Sequence, residues 1–358
     1  MRRLRVCLIA SSRFPVREPF AGGLEAHIHA LARSLRDRGH EVSVFAAPGS
    51  DPALEIHPLD VEEFDASSAA RADVSAPPDA WMREHHAYLS LMISLARSGH
   101  ERFDVVHNNS LHHLPVAMAS TLSIPMVTTL HTPPTPWLES ALKFAPTHSA
   151  FAAVSEFTAE QWRHVVDAVV VRNGIDLTRW PEGPGGTDAV WFGRIVPEKA
   201  PHLAIDAARR AGIAINLAGP VFDNDYFARE IEPRLGSGVR LLGHLHSSQL
   251  SEVVRRARVT VLTPRWEEPY GLVAAESMAS GTPVAAFARG GLTEVVGDGG
   301  GFLAGPDDVD ELPRTIVRAA ELPRAAVRAH AMRYHSLDTM VAQYESIYTH
   351  LASDSRAA

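Results

Sequence analysis

The sequence holds a single cysteine, Cys7, among 358 residues. No internal disulfide can form, which excludes a disulfide-stapled scaffold. Cys7 lies in the apolar stretch 4–10, where a packed thiol is expected rather than a nucleophile. Positive charge is not in excess: 34 Lys and Arg against 42 Asp and Glu leave −8, so the electrostatics favour neither nucleic acid nor an anionic membrane surface. No run approaches the ~18 consecutive apolar residues that a membrane span needs. The opening MRRLRVCLIASS has the basic start of a secretory leader, but its apolar run stops after Ala10 and Arg13 follows, too short for a leader's apolar segment. A first strand is expected there, and a cytoplasmic protein, with peripheral membrane association left open. Gly (24) and Pro (25) are near their ordinary share, which excludes collagen-like chains and long disorder.

What the chain has is length and a regular alternation of elements. Its 358 residues are about two to three times the commonest domain size, so two cores are expected. After the strand at 4–10, a Pro-containing loop runs to Gly22-Gly23, and Leu24, Ile28, Leu31 and Leu35 recur at helical spacing until Gly39. The next strand is 42–46. The loop between is too long for the G-x-G-x-x-G dinucleotide fingerprint. Strands at 104–107 and 125–130 alternate with a helix over 87–96, while 62–78 reads as loop. Pro and Gly crowd 180–186 too densely for the interior of any element. The plan then restarts, with strands at 189–192, 213–218, 239–242, 259–262 and 283–287 and a helix over about 201–211. The expected organisation is an amino-terminal domain over 1–172, a linker over 173–187 and a second domain over 188–336. A last helix, about 337–351, carries an apolar stripe from Leu337 to Leu351 that needs a partner surface. Strands alternating with helices make parallel sheets covered on both faces, whose ligands sit beyond the carboxyl ends of the strands. Two such domains leave a cleft between them.

Residues 267–281, EEPYGLVAAESMASG, carry the densest chemical signal. Pro269 suits a helix start and Gly281 a helix end, predicting a helix over about 270–280. Glu276 then shares a face with Leu272, Val273 and Ala279, either as an edge-of-core carboxylate paired to an arginine or as a ligand group. Glu268 precedes the same helix, whose first N–H groups, at Gly271, Leu272 and Val273, favour an anion such as phosphate. Carboxylates flanking that anion would suit the hydroxyl groups of a sugar and of a ribose. In the loop after the strand at 189–192, Arg194 and Lys199 read either as solvated surface cations or as the hold on a diphosphate.

In order and spacing these segments resemble the retaining glycosyltransferases of family 4, which have the GT-B fold and move a sugar from a nucleotide-sugar donor to an acceptor. The resemblance covers nearly the whole chain: Gly22-Gly23-x-Glu25-x-His27, Asp104 to His107, Thr129 to His131, Val154-Ser155 leading to 173–176, Gly193-Arg194 to Glu198-Lys199, and Glu268 with Glu276. It implies an α/β protein of two Rossmann-like domains facing each other across a cleft. By the same resemblance, Arg194 and Lys199 bind the diphosphate, Glu276 the ribose hydroxyls and Glu268 the donor sugar. Gly22 and Gly23 lie under the phosphates or sugar, and Gly271, Leu272 and Val273 at the donor, with Gly243 and Leu245 near the base. His131 stands beside the sugar at the reacting carbon, and His27 falls on the acceptor side. The implied donor is a nucleotide-diphosphate sugar, UDP being commonest, and the acceptor a hydroxyl of a sugar, a lipid-linked molecule or a small molecule; no cofactor or metal is implied. The last helix is expected to cross back onto the first domain. One departure is Ala200, where a glycine usually follows the lysine.

Other features are weighed against plainer readings. Trp137, with Leu138, Leu142 and Phe144, reads as core or as the wall of an acceptor or lipid-facing groove. Among the 19 histidines, His85-His86 and His112-His113 are adjacent pairs expected to point apart on a helix. No Cys or H-x-x-x-H set completes a zinc site, so no metal site is expected. Asp223-Asn224-Asp225 has the D-x-D form of metal-dependent glycosyltransferases but reads as a loop and helix cap. Two other classes stay open: a nucleotide-sugar epimerase of similar two-domain plan, and a non-catalytic sugar-nucleotide-binding module.

Overall fold

Two parallel sheets organise the chain, whose structure is a computed structural model describing residues 2–59, 61, 64–146 and 149–357. The first is built from β1 (Arg5–Ile9), β2 (Glu41–Ala46), β3 (Ile56–Pro58), β4 (Val105–Asn108), β5 (Met126–Leu130), β6 (Ala150–Ala153) and β7 (Val169–Val170), in the order β3-β2-β1-β4-β5-β6-β7. The second holds β8 (Ala189–Phe192), β9 (Ile215–Ala218), β10 (Val239–Gly243), β11 (Val259–Leu262), β12 (Val284–Phe287) and β13 (Gly301–Ala304), in the order β10-β9-β8-β11-β12-β13. Every ladder is parallel. Each sheet therefore starts at its centre, grows to one edge and then reverses, the Rossmann order, and the reversal between β1 and β4, or β8 and β11, opens a crevice at the strands' carboxyl ends. The fold is GT-B.

The helices that matter for the site are α1 (Gly23–Asp37), α2 (Asp79–Arg102), α3 (His113–Ala117), α4 (Pro136–Leu142), α5 (Pro201–Arg210), α6 (Leu272–Ala279) and α7 (Leu337–Ala357). Central strands are buried on both faces, which is why they read as unbroken apolar runs: Val6, Cys7, Leu8 and Ile9 are all inaccessible. Burial also pushes the Cys7 thiol well above its ordinary pKa. The four strands that sequence patterning passes over, β3, β6, β7 and β13, are short, and AFAA in β6 and GFLA in β13 lack β-branched residues. Parallel neighbours, not intrinsic preference, hold them. Of the loop at 62–78, Glu62 and Glu63 lie outside the described residues, and Ser68–Arg71 forms one exposed helical turn.

The last helix, α7, returns to the first sheet after the chain has built the second. Met340, Val341, Tyr344 and Tyr348 are buried against a core that includes Val6, Leu8, Ile28 and Leu31. A buried tyrosine needs a partner for its hydroxyl. Tyr348 Oη lies 2.6 Å from His107 Nδ1 on β4, and Tyr344 Oη 3.0 Å from Thr129 Oγ1 on β5, which in turn is 2.8 Å from His107 Nε2. Glu345, 2% exposed, is met by Arg38 at 2.7 Å and His40 at 3.0 Å just beyond α1. No helix among the described residues is long and apolar enough to cross a membrane.

Candidate active site

Residues just past the carboxyl ends of strands in both sheets line one cleft of about 470 Å³, a volume suited to a small-molecule ligand. The first sheet's unit contributes Gly22, Gly23, Glu25, His27 and His131; the second contributes Arg194, Lys199, Leu245, Trp266, Glu268 and Glu276, together with Gly271, Leu272 and Val273 at the start of α6. Most of the candidates read from the sequence thus share one space, although they span the chain from Gly22 to Glu276. Two do not join them. Gly243 ends β10, where its carbonyl accepts the Gly219 N–H at 2.8 Å, and it does not line the cleft. Trp137 is 62% exposed on α4 and stacks on His113 instead.

Two helix amino-termini meet across the cleft. A Cβ on Gly23 would lie 2.8 Å from Leu272 Cδ1, so α1 begins close enough to the start of α6 that any larger residue would make the Leu272 side chain shift. Gly271 caps α6 at φ +100°, a left-handed turn that favours glycine, and a Cβ there would also press on the buried Leu292 side chain at 2.4 Å. The open N–H groups of α6 face the cleft and suit an anion. At α1 two amides of the first turn are already taken up. Glu25, 4% exposed, turns its carboxylate back onto the Gly22 and Glu25 amides; burial raises its pKa against the pull of those amides and of Arg194.

Lys199 and Glu268 form an ion pair in the cleft, and Trp266 Nε1 donates to Glu268 Oε2 at 3.0 Å while its ring lies 5.0 Å from the Lys199 ammonium. Trp266, unremarked in the sequence reading, therefore orients both groups. Arg194 lies over the Phe222 ring at 5.7 Å. Glu276 sits on α6 with only part of its surface open to the cleft, and burial pushes its carboxyl up to about 8, against the opposing pull of Arg179. Both readings of Glu276 meet here: an arginine is near, yet Arg179 makes its ion pair with Glu18 of the other unit. Glu18 also accepts the Ser247 N–H at 3.4 Å, and His244 donates to the Phe20 carbonyl at 3.0 Å, so the loop after β1 is tied to the second unit.

His131 follows β5 and donates from Nε2 to Asn109 Oδ1 at 2.9 Å, which leaves Nδ1 as the ring's acceptor. Burial first, then His27 and His107, keep its pKa well below the usual imidazole range, so the ring is neutral. His27 meets it edge to face at 5.1 Å; it is 3% exposed, neither of its nitrogens has a partner, and burial lowers its pKa to about 4. Asn109, which positions His131, was not singled out in the sequence because a polar residue after a strand is common.

Ala200 does not alter the turn it occupies. It takes φ +44° and ψ +51° and caps α5 in the left-handed conformation a glycine would adopt. Ala200→Gly is expected to stay within about 1 kcal/mol of the parent, since relief of strain is offset by a lost buried methyl and a freer unfolded chain. Ala200→Val should cost about 3 kcal/mol or more in denaturant titration, because a β-branched residue is excluded from that region and the site is fully buried. Asp223 is a helix cap, accepting the Tyr226 N–H at 2.8 Å.

The expectation that both histidine pairs diverge holds for one and fails for the other. His85 stacks on Trp81, while His86 faces Phe64. His112 and His113, however, stack on each other with ring centroids 4.4 Å apart. They are not two residues within a helix: His112 is the extended cap of α3 and His113 its first residue. The long helix α2 brings His85 to them, and one ring nitrogen from each of the three lies within 4.8 Å of the other two. Sequence spacing could not reveal a cluster assembled from two elements.

Two Rossmann-order sheets that share a cleft of cations, carboxylates and a helix amino-terminus define the GT-B class of sugar-transfer enzyme. The chain belongs to the glycosyltransferase family: residues 21–179 match the model for Glycosyltransferase Family 4 and residues 180–334 that for Glycosyl transferases group 1. It is similar to the glycogen synthase of Mycobacterium tuberculosis, 29% identical over an alignment that covers 87% of this chain and 85% of that one. It is likewise similar to the D-inositol 3-phosphate glycosyltransferase of Geodermatophilus obscurus, 28% identical over 99% and 92% of the two chains. Among solved structures, sucrose-phosphate synthase from Thermosynechococcus elongatus superposes with a TM-score of 0.78 at 20% identity, covering 98% of this chain and 100% of that one. Anabaena HepE in complex with UDP and glucose gives 0.76 at 18%, over 97% and 100%. The likeness to both structures is one of fold.

Proposed function

We propose that this glycosyltransferase moves a hexose-type sugar from a nucleotide-diphosphate sugar, with UDP as the preferred nucleotide, to a hydroxyl acceptor, with retention at the anomeric carbon and without a metal at the diphosphate. The observation that carries the reading is the joint placement of Arg194, Lys199 and the amino-terminus of α6 beside Glu268 and Glu276 in one cleft. In this reading residues 188–336 hold the donor and residues 1–172, with α7, present the acceptor across the segment 173–187. Arg194, Lys199 and the α6 amides neutralise the diphosphate, Glu276 takes the ribose hydroxyls and Glu268 the sugar. A bond forms from the acceptor oxygen to the anomeric carbon on the face that the diphosphate leaves, and the departing phosphate oxygen accepts the acceptor's proton. Neutral His131, held by Asn109, accepts a sugar hydroxyl through Nδ1. UDP is favoured because Anabaena HepE, of the same fold, binds UDP and glucose. A hydroxyl on a glycan or polyol suits the relatives that are a glycogen synthase and a D-inositol 3-phosphate glycosyltransferase.

A thermal-shift panel tests the nucleotide. UDP at 100 times its Kd should stabilise the protein by about 2.7 kcal/mol, more than GDP, ADP or dTDP, and its affinity should be the same in EDTA as in Mg²⁺ or Mn²⁺. A metal requirement for nucleotide binding would overturn the assignment of Arg194 and Lys199. Incubating UDP-sugar with and without acceptor alcohols separates a transferase from an epimerase and from a binding module, and the anomeric proton coupling of the product reads retention.

A further inference from the structure

We propose that His85, His112 and His113 form a binding site for a divalent transition-metal cation, zinc best, on the acceptor-side unit. The three converge from two elements, with one ring nitrogen of each within 4.8 Å of the other two. His112 is 6% exposed and its Nε2 is buried without a partner, as is His85 Nδ1. Orphaned buried nitrogens are costly and uncommon, and two from separate segments in one cluster call for a shared ligand. Three imidazoles, with no thiolate among them, suit Zn²⁺, Cu²⁺ or Ni²⁺ rather than Mg²⁺ or Ca²⁺, which take oxygen. Three protein ligands also leave a fourth position open.

Tetrahedral zinc with Zn–N bonds of about 2.0–2.1 Å places its ligand nitrogens roughly 3.3 Å apart, so from separations within 4.8 Å the nitrogens close by up to about 1.5 Å on loading. Partly exposed His85 and His113 have room to turn. His112 Nδ1 accepts the Leu114 N–H at 3.2 Å, and that bond is given up whichever nitrogen binds. Coordination at Nδ1 uses the lone pair directly, and coordination at Nε2 moves the ring proton to Nδ1. A long cap bond on a five-residue helix is thereby exchanged for a metal bond.

The rings around the cluster fix its place. Tyr88 stacks on His112 at 4.8 Å, donates to the Ala10 carbonyl and accepts the Ser12 N–H, so the cluster is tied to the loop after β1. Leu111, just before it, lines the cleft. Trp81 and Trp137 flank His113 on the outer side, at 6.5 and 5.3 Å. A bound cation would pin α2 to the start of α3 behind the cleft wall, apart from Arg194 and Lys199.

The test uses full-length untagged protein, treated with EDTA and desalted, then titrated calorimetrically with Zn²⁺. One ion per chain at micromolar Kd or tighter is expected. His85→Gln and His113→Gln should each weaken it beyond the ~10–100-fold that losing a mere supporting group costs, whereas His86→Gln, one residue away, should leave it unchanged. X-ray absorption of the zinc-loaded protein should show imidazole scattering, and the Leu114 amide should exchange faster than without zinc. Circular dichroism confirms that each variant is folded. Affinity within threefold of the parent in both His85→Gln and His113→Gln, or an equal loss in His86→Gln, would overturn the site and assign any zinc to the histidine-rich surface at large.

Discussion

Replacing Glu276 should weaken nucleoside diphosphate binding and stabilise the empty protein at once. Above pH 8, where the carboxyl is ionised, a hydrogen bond to a charged group is worth about 1.5–3 kcal/mol, so Glu276→Ala is expected there to raise the Kd of UDP by roughly ten- to 150-fold in calorimetry. The stability effect follows from the carboxyl's pKa. Burial holds it up to about 8, against 4.5 for the ordinary carboxyl. Between those values the unfolded chain has released the proton and the folded one keeps it, so folding takes up a proton and stability falls as pH rises through that window. Glu276→Gln removes the titration. Its melting temperature should match the parent's near pH 5, exceed it progressively up to pH 8 and run parallel above. Since about 1.4 kcal/mol accompanies each pKa unit, and the group is partly open to the cleft, the gap at pH 8 amounts to a few kcal/mol. A variant that binds UDP normally and melts lower at pH 8 would make Glu276 a structural partner of Arg179 and move the ribose elsewhere.

That conflict between stability and position also explains what the sequence could reveal. Pro269, Gly281 and the spacing between them predicted the helix carrying Glu276, because its start, end and face are local properties. The alternation of runs such as 189–192 and 201–211 implied parallel sheets, since each period is written within one element. Strand β6, spelled AFAA, was not legible because its neighbours hold it. For the site the division is the same. Arg194, Lys199, Glu268 and Glu276 stand in motifs with fixed spacing, and the fold brings them to one cleft. Trp266 and Asn109 act by orienting other groups, Glu268 and His131, and nothing in their own segments marks that role. The histidine cluster was missed for the most physical of these reasons: α2 and α3 supply its members, and only packing brings His85 to His112 and His113.

Lys199 should prove to be the cation that carries away the leaving group's charge, with Lys199→Ala lowering turnover of the nucleotide-sugar by about 10²–10³, the usual loss when one group aimed at developing charge is removed. The structure supplies a rival account, because Lys199 is paired with Glu268. It could act only by holding that carboxylate against the sugar. Single substitutions cannot separate the two, but a double-mutant cycle can. If Lys199 works only through Glu268, Lys199→Ala, Glu268→Ala and the double variant will be equally slow. If Lys199 faces the diphosphate once the donor displaces the pair, the double variant will be slower than either single one. UDP affinity adds an independent reading. Glu268→Ala removes the competing carboxylate from beside Lys199, so its UDP affinity should be unchanged or higher even as turnover falls. Lys199→Ala should lower UDP affinity, and Lys199→Arg should restore binding better than turnover, since the planar guanidinium keeps the charge but not the reach of a point cation. Equal turnover in all three alanine variants, with UDP affinity untouched by Lys199→Ala, would reduce Lys199 to a support for Glu268 and leave Arg194 and the α6 amides to hold the diphosphate alone.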